Sequence, residues 1–511
     1  MNAEAPYLRV RLDAGVAVAE GAASQRLDQV GPHECLRTGQ EIVGEWSWDG
    51  VQATVRTCRY GFFPLYYYAT GEEFGVSSSL PKLLACGAPA ELDDAAVATF
   101  LRLGWLVGDD TVFRAIRVVP PNGKVRWSAG ALQVSGGPWY PKTQSLGRDA
   151  AVDGFGELFR QAVRRRAAAD APAALPLSGG RDSRHILLAL AAVGCPPRVC
   201  FTTHDLPPYR EGNIRAAAVL CERLGIEHRV VGQPDSRLDA ELRKNRDTSF
   251  GALEHAWAVR LFGEIAGSAS IVYDGLAGDA LSASAYLKKD LMDLFERGDL
   301  EALADRIVAN WSWRTSEQAL ARVLTEPAAR RFSRALAVQR VARELAVHAD
   351  ATIPLKSFNF WNRTRRATAL SPFAIAPAAG LVALTPYLDY EVFDFLASLP
   401  AEMLLDRTFH TETIHRHYPA FRDVPFAGET GSPLKDDPWH QRRFLAAAAM
   451  YLAGNGGGGL VRRGRTAARL MAMAASGGAN LHKRAANWIA PLHVVYLTQL
   501  GALCRDAGRA P

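Results

Sequence analysis

A chain of 511 residues that is 48% hydrophobic and 22% charged has an ordinary globular composition and is long enough for two or three domains with large cores. Its formal net charge of +6 is uneven, because residues 438–505 carry nine basic side chains and no acidic one, while the rest of the chain is close to balance. No basic segment followed by an apolar core opens the chain, and the longest apolar run, 444–453, is too short to span a bilayer, so a cytoplasmic protein without a membrane partner is expected.

The first 140 residues read as strand-rich. Glu45-Trp46-Ser47-Trp48 and Val51-Gln52-Ala53-Thr54-Val55 flank Asp49-Gly50, a two-residue hairpin signal, and Leu65-Tyr66-Tyr67-Tyr68 continues the aromatic bias. A further strand pair is expected around Pro120-Pro121-Asn122-Gly123. The polar stretch 141–149 reads as a linker, after which Val152, Phe155, Phe159, Ala162 and Val163 recur at helical spacing. One domain is therefore expected over 1–145 and a second over 146–511. The seven cysteines (Cys35, Cys58, Cys86, Cys195, Cys200, Cys221 and Cys504) are odd in number and never spaced as CxxC, which suggests neither a zinc site nor a disulfide framework.

From residue 171 the order becomes strand, glycine-rich loop, helix, strand. Ala173-Ala174-Leu175-Pro176-Leu177 leads into Ser178-Gly179-Gly180-Arg181-Asp182-Ser183 and a helical run; Arg198-Val199-Cys200-Phe201-Thr202-Thr203, a helix over 213–224 and Glu227-His228-Arg229-Val230-Val231 follow. That alternation predicts a parallel sheet with crossover helices, its loop at the C-terminal strand end where such sheets bind ligands. Pro176 is the dissonant residue, since proline is unfavourable in a central strand. The loop has the make-up of a pyrophosphate holder: its glycines let the backbone approach, helix-start amides point at phosphate oxygens, and Ser178 and Ser183 add hydroxyl donors. Asp182 makes sense beside a polyanion if magnesium lies between them, so nucleotide chemistry is expected. Beyond residue 280 the pattern is mostly helical.

This loop occurs across the pyrophosphatase-loop ATP enzymes, and its surroundings narrow the resemblance. Gly61-Phe62-Phe63-Pro64-Leu65-Tyr66-Tyr67, then Thr111-Val112-Phe113 with Pro120-Pro121-Asn122-Gly123, precede it; Glu211, Ala216, His228, Gly275-Leu276-Ala277-Gly278-Asp279 and Thr385-Pro386-Tyr387-Leu388-Asp389 follow it. In that order they resemble the class B asparagine synthetases, from about residue 45 to about residue 440. The resemblance implies an α/β protein: an N-terminal Ntn-hydrolase-like αββα domain, then a pyrophosphatase-loop ATP domain with a parallel sheet and a largely helical C-terminal part. It implies adenylation of a carboxylate by magnesium ATP, release of pyrophosphate, and attack of an amine on the acyl-adenylate. Leu177, Ser178, Gly179, Gly180, Asp182, Ser183 and Gly275 would bind ATP, Leu177 through backbone groups facing adenine. Asp182 and Asp279 would ligate magnesium, and Lys435 falls where the family keeps a late lysine that stabilises the adenylate and the tetrahedral intermediate.

The chain also departs from the family. Glutamine-using members need an N-terminal cysteine whose own α-amine serves as base, whereas this sequence begins Met1-Asn2-Ala3-Glu4 and has no cysteine, serine or threonine before Ser24. A degenerate glutaminase domain is expected, as in members similar to β-lactam synthetases, carbapenam synthetases and lasso-peptide cyclases, which take the amine from a substrate. Leu276 and Ala280 replace the acidic or tyrosyl groups of the second magnesium loop, removing the usual base. An α-amine with pKa near 8 costs only about 1.4 kcal/mol to deprotonate at pH 7, against about 4.6 for a lysine side chain. A weakly basic donor is therefore expected, unless Tyr273, Asp274, Glu254 or His255 serves as base.

His410, His415 and His417 cluster, but the last two are two apart and cannot share a helix face, so a zinc site is not expected. His185 is expected to pack and cap, and Arg181 and Arg184 either to add charge over ATP or to face solvent. The basic segment could dock an acidic carrier protein or a leader peptide, or be a solvated helical face; its aromatics are not interleaved as nucleic-acid binding would favour. The leading expectation is an AMP-forming amide-bond synthetase joining a small-molecule or peptide carboxylate to an amine in specialised-metabolite or peptide biosynthesis. A lactam or macrolactam cyclase of the same family and a catalytically inactive nucleotide-binding scaffold are the alternatives.

Overall fold

The computed structural model describes residues 5–27, 44–167, 171–204, 212–310, 316–427, 438–478 and 480–508. Alternating apolar and polar residues in the first part build two five-stranded antiparallel sheets. One runs β2 (Val16–Gly21), β1 (Tyr7–Asp13), β7 (Glu73–Ser77), β6 (Tyr66–Ala69), β8 (Ile116–Val118). The other runs β10 (Ala131–Ser135), β9 (Lys124–Ser128), β5 (Ala53–Thr57), β4 (Gly44–Trp48), β3 (Ser24–Arg26). Their inner faces share a core of Leu8, Val10, Trp46, Val55, Phe74, Val76 and Trp127.

Two local expectations change here. The β4–β5 turn has four residues, not two, with Trp48 opposite Ala53, because the Asp49 carboxylate accepts the amides of Val51 and Gln52 at 2.9 and 2.7 Å and draws them into an Asx turn. The strands on either side of Pro120-Pro121 do not pair with each other. β8 borders the first sheet and β9 lies in the second, since two prolines without N–H groups carry the chain across instead of into a ladder.

Helices α1 (Leu80–Ala85) and α2 (Asp94–Leu103) cover the outer face of the first sheet. Residues 96–103 of α2 are all buried, because its far side meets the C-terminal helices, where Phe100 stacks on Tyr496 with ring centroids 4.2 Å apart. Helix α3 (Arg148–Arg165) follows the expected polar stretch, with Val152, Phe155, Phe159, Ala162 and Val163 all buried.

The third sheet is parallel, in the order β13 (Glu227–Val231), β12 (Val199–Thr203), β11 (Ala173–Pro176), β14 (Ile271–Tyr273), β15 (Val382–Leu384). Helices α4 (Arg181–Ala192) and α5 (Gly212–Leu224) make the crossovers that the sequence predicts. Pro176 is tolerated because Leu177 takes the bond to Phe201 O on the β12 side, and on the β14 side the pairing ends at Ala174 and Val272.

Beyond residue 280 the described chain is largely helical, as expected, but residues Asn359–Thr368 wind as a π-helix. From it Asn362 accepts the Gly108 amide at 2.7 Å, Arg365 reaches Asp109, Val119 O and Gly61 O, and Arg366 reaches Gly108 O and Asp110 O. These buried cations weld the antiparallel sheets to the parallel one. In the basic segment, Arg442, Arg462, Arg463, Arg484 and Arg505 each donate to a backbone carbonyl, at Ala474, Leu324, Ala453, Gly477 and Asn455. Much of its charge is thus spent on loop and helix-end carbonyls. No helix among the described residues is long and apolar enough to cross a membrane.

Candidate active site

The loop after β11 and the loop after β14 leave neighbouring parallel strands at the same edge and meet each other. The first is held from within: the Ser178 amide donates to Ser183 Oγ at 3.0 Å, the Gly180 amide to Ser178 Oγ at 3.2 Å, and the Gly179 amide to Asn213 Oδ1 at 3.0 Å. Gly179 has no room for a side chain, since a Cβ there would lie 2.5 Å from Ala427 Cβ. The Leu177 amide bonds Phe201 O at 2.7 Å and its carbonyl accepts the Thr202 hydroxyl at 2.6 Å, leaving one carbonyl lone pair for any further contact. The Thr202 hydroxyl, having spent its proton there, accepts from His228 Nε2 at 2.8 Å. What remains turned toward a ligand is the start of α4, the first-turn amides that every helix leaves without an intrahelical acceptor.

The second loop is shaped by Asp274, whose carboxylate accepts the Leu276 amide at 2.8 Å, and by Ala277 at a left-handed φ of 75°. Short helix Gly278–Ser282 follows. Its glycines are there for Asp182: a Cβ on Gly278 would lie 2.5 Å from Asp182 Cγ, and one on Gly275 would lie 3.0 Å from Asp182 Cβ. The Asp279 amide then donates to Asp182 Oδ2 at 2.9 Å.

Electrostatics follow from this crowding. The Asp182 side chain is 28% exposed, yet loss of water around it and the neighbouring Asp279 charge push its pKa up to about 7. Burial pushes Asp274 up to about 6. On the other side, Arg181 reaches Asp279 Oδ1 at 2.9 Å and Arg407 reaches the same oxygen at 3.6 Å.

Behind Asp182 stands a group of side chains that the sequence does not bring together. Ser282 Oγ gives its proton to Gly278 O at 2.7 Å, so it accepts from His410 Nδ1 at 3.0 Å, which places the proton of that ring on Nδ1. His410 Nε2 is then the acceptor for His185 Nδ1 at 3.1 Å. Burial holds His410 down to about 3 and His185 well below the usual histidine range, so both are neutral, and the His410 contact to Asp182 Oδ1 at 3.5 Å is a dipolar one. The Tyr387 hydroxyl closes the group on Asp182 O at 3.1 Å. Tyr387 belongs to the late Thr385–Asp389 element, whose Asp389 pairs with Arg166 at 2.7 Å and caps helix Tyr390–Ser398.

The structure thus brings Ser178, Gly179, Gly180, Asp182, Ser183, Gly275 and Asp279 together, with Leu177 at the strand end beneath them. Lys435 lies outside the described residues, as does Glu211. His185 packs as expected, against Phe155 and Phe159. Arg184 neither faces solvent nor stands over a ligand: it is fully buried, donating to Val424 O and Pro425 O at 2.6 Å each and stacking on Phe426, so its work is to dock 424–427 beside the loop. The three later histidines part company, His410 toward Asp182, His415 toward Phe426 and His417 against Gly156 on α3. Of the alternative bases, the Tyr273 hydroxyl is bonded to Arg166 O, and Glu254 faces Arg363 at 3.3 Å. His255 is buried, edge-on to Trp257, and Asp274 is part of the second loop itself.

Two carboxylates from facing loops, one of them raised by burial and then by the other's charge, form an oxygen donor set suited to magnesium, which takes one or two carboxylates and completes its shell with phosphate and water. Asp182 and Asp279 would hold that ion. Among the described residues no group of three or more histidine, cysteine or acidic side chains is placed to hold a metal ion.

A family model described as Asparagine synthase matches residues 154–417, from within α3 to the last residue of helix Phe409–His417. A search of the curated proteins finds no match.

Proposed function

The chain belongs to the asparagine synthase family, and from that premise we propose that it joins a carboxylate to an amine that does not come from glutamine. Membership makes it an ATP-dependent ligase that forms C–N bonds. The observation that carries the finer reading is the contact of Asp182 with the Asp279 amide at 2.9 Å in front of the start of α4: two carboxylates for a divalent cation and a helix start for phosphate oxygens. In this reading a carboxylate oxygen of the substrate attacks the α-phosphorus of ATP and pyrophosphate leaves. The amine then attacks the acyl carbon, AMP departs, and the amine's proton passes to a base. Magnesium, when bound, supplies charge neutralisation on the leaving pyrophosphate. The helix-start amides orient the phosphates, and the neutral Ser282–His410–Tyr387 group keeps Asp182 turned toward Asp279.

Two features favour an amine other than ammonia drawn from glutamine. Residues 5–13, the described chain through the end of β1, contain no cysteine, serine or threonine, so β1 brings no nucleophile of that kind to the first sheet. Leu276 is buried in the core, and Asp274, whose carboxylate accepts the Leu276 amide at 2.8 Å and is pushed up to about 6 by burial, is a weak base that suits an α-amine better than a lysine side chain. The proposed substrates belong to specialised-metabolite or peptide chemistry.

Pyrophosphate release from ATP on addition of carboxylate and amine mixtures tests this, with mass spectrometry of the product and Asp182→Asn as control. Release that needs Asp182 and yields an amide from a weakly basic amine is the expected result. ATP binding without release in any mixture would instead favour a nucleotide-binding scaffold, and release driven by glutamine would overturn the choice of amine.

A further inference from the structure

We propose that Arg181 and Arg407 form an exchangeable guanidinium pair, which holds Asp279 in the absence of a divalent cation and binds the polyphosphate once that cation takes Asp279. The inference rests on Asp182 and Asp279 being the cation ligands. Its geometric basis is the Asp279 oxygen shared by the two guanidinium groups, at 2.9 Å from Arg181 and 3.6 Å from Arg407. Arg181 also donates to Arg407 O at 2.8 Å, so the two cations are fixed to each other as well as to the carboxylate.

Each residue sits where its type is locally unfavourable. Arg181 is the first residue of α4, beside Gly180, and the positive end of a helix dipole disfavours a cation unless an anion is supplied. Arg407 adopts a φ of 58°, a left-handed conformation that a non-glycine residue keeps only when its surroundings impose it. Asp279 supplies the anion, and the bond from Arg181 to Arg407 O holds the left-handed turn in place. The side chains of Arg181, Arg407 and Asp279 are 22%, 46% and 44% exposed, so none is locked by packing.

The charges explain the exchange. Asp182 and Asp279 are balanced by Arg181 and Arg407 in the structure. A divalent cation by itself would make this cluster positive, and a polyphosphate arriving with it restores the balance, with the guanidinium groups now free to fork onto phosphate oxygens. The arginines therefore oppose binding of the cation alone and favour binding of the cation with pyrophosphate.

Binding of Mn2+ by electron paramagnetic resonance and of magnesium pyrophosphate by calorimetry, both on the full chain, tests this without turnover. Arg181→Leu and Arg407→Gly are expected to bind Mn2+ alone more tightly, by up to about ten-fold, and magnesium pyrophosphate about ten- to hundred-fold more weakly. Arg181→Lys is expected to fall between Leu and wild type for pyrophosphate, and wild-type melting temperatures certify the fold; glycine suits position 407 because it accepts the left-handed φ. Unchanged pyrophosphate affinity in both variants, or a parallel loss of both ligands in correctly folded protein, would overturn the inference while Asp182→Asn still abolishes Mn2+ binding. If wild type binds neither Mn2+ nor magnesium pyrophosphate, the cation reading of the site falls and the pair falls with it.

Discussion

The amide of Asp279 donates to the carboxylate of Asp182 over 2.9 Å, so the two loops that close the parallel sheet meet through an acid already short of water. Burial and the Asp279 charge raise Asp182 to about 7, against 3.8 for the ordinary group. The folded chain therefore retains this proton where the unfolded chain loses it, and stability contributed by Asp182 is lost as pH rises from about 4 to about 7. Asparagine keeps an acceptor for the Asp279 amide and removes the penalty. Asp182→Asn is expected to be more stable than wild type at pH 8 by about 1–3 kcal/mol, with little difference at pH 4, while cation-dependent pyrophosphate release disappears. Thermal melts at the two pH values check it; the same difference at both would mean that Asp182 ionises as an ordinary carboxyl.

His185 and His410, neutral behind Asp182, act in the opposite sense. Both are held below the usual histidine range by burial, His410 to about 3, so their contribution to stability is present above about pH 6.5 and is lost as pH falls toward 4. Two such groups give an acid limb of up to about 2.7 kcal/mol per pH unit, reduced by Asp182 and Asp274, whose raised values favour the folded acid form. His410→Gln removes one titrating ring and is expected to lower the slope of stability against pH by up to about 1.4 kcal/mol per pH unit relative to wild type. Denaturant midpoints from pH 6 to pH 4 read the slope, and parallel curves would refute it.

The loop, the strands around it and the helix over 148–165 were legible because their signals are local: glycine punctuation, period-two and period-3.6 runs, and a carboxylate inside a phosphate loop. The four-residue β4–β5 turn departs from the two-residue expectation because Asp49 competes for amides that a two-residue hairpin would leave to the strands. His410 and Ser282 are not legible as neighbours of Asp182, nor is the turn of Arg184 away from the loop toward Val424 O, since their partners lie 225, 128 and 240 residues away in the chain. Nothing in the composition of Asn359–Thr368 marks a π-turn; it is imposed by Asn362, Arg365 and Arg366, which all close on the Gly108 region.

That closure predicts where the two halves of the molecule are most vulnerable. Arg365 is 3% exposed and donates to Val119 O at 2.8 Å, Asp109 at 3.0 Å and Gly61 O at 3.2 Å, three acceptors on three separate segments that one ammonium cannot reach together. Arg365→Lys is expected to destabilise by about 3–5 kcal/mol, as breaking a buried charged network does. Limited proteolysis is expected to cut first within 107–120. A melting temperature within a degree of wild type would show that the sheets are held together elsewhere.

The basic segment separates structural from free charge along one short run. Arg462 donates to Leu324 O at 2.6 Å, which fixes the strand-like bridge between Leu324 and Val461, whereas Arg465 is exposed on helix Arg463–Ser476. A hydrogen bond from a charged donor contributes about 1.5–3 kcal/mol, while an exposed arginine away from partners contributes within about 0.5 kcal/mol. Arg462→Gln is therefore expected to lower the melting temperature and Arg465→Gln to leave it unchanged. If the segment also recruits an acidic carrier or leader, Arg465→Gln weakens that recruitment without touching stability, so the pair of variants measured by melting and by carrier binding distinguishes the two uses of the charge. Equal loss of stability in both would mean that the exposed arginine has a structural partner of its own.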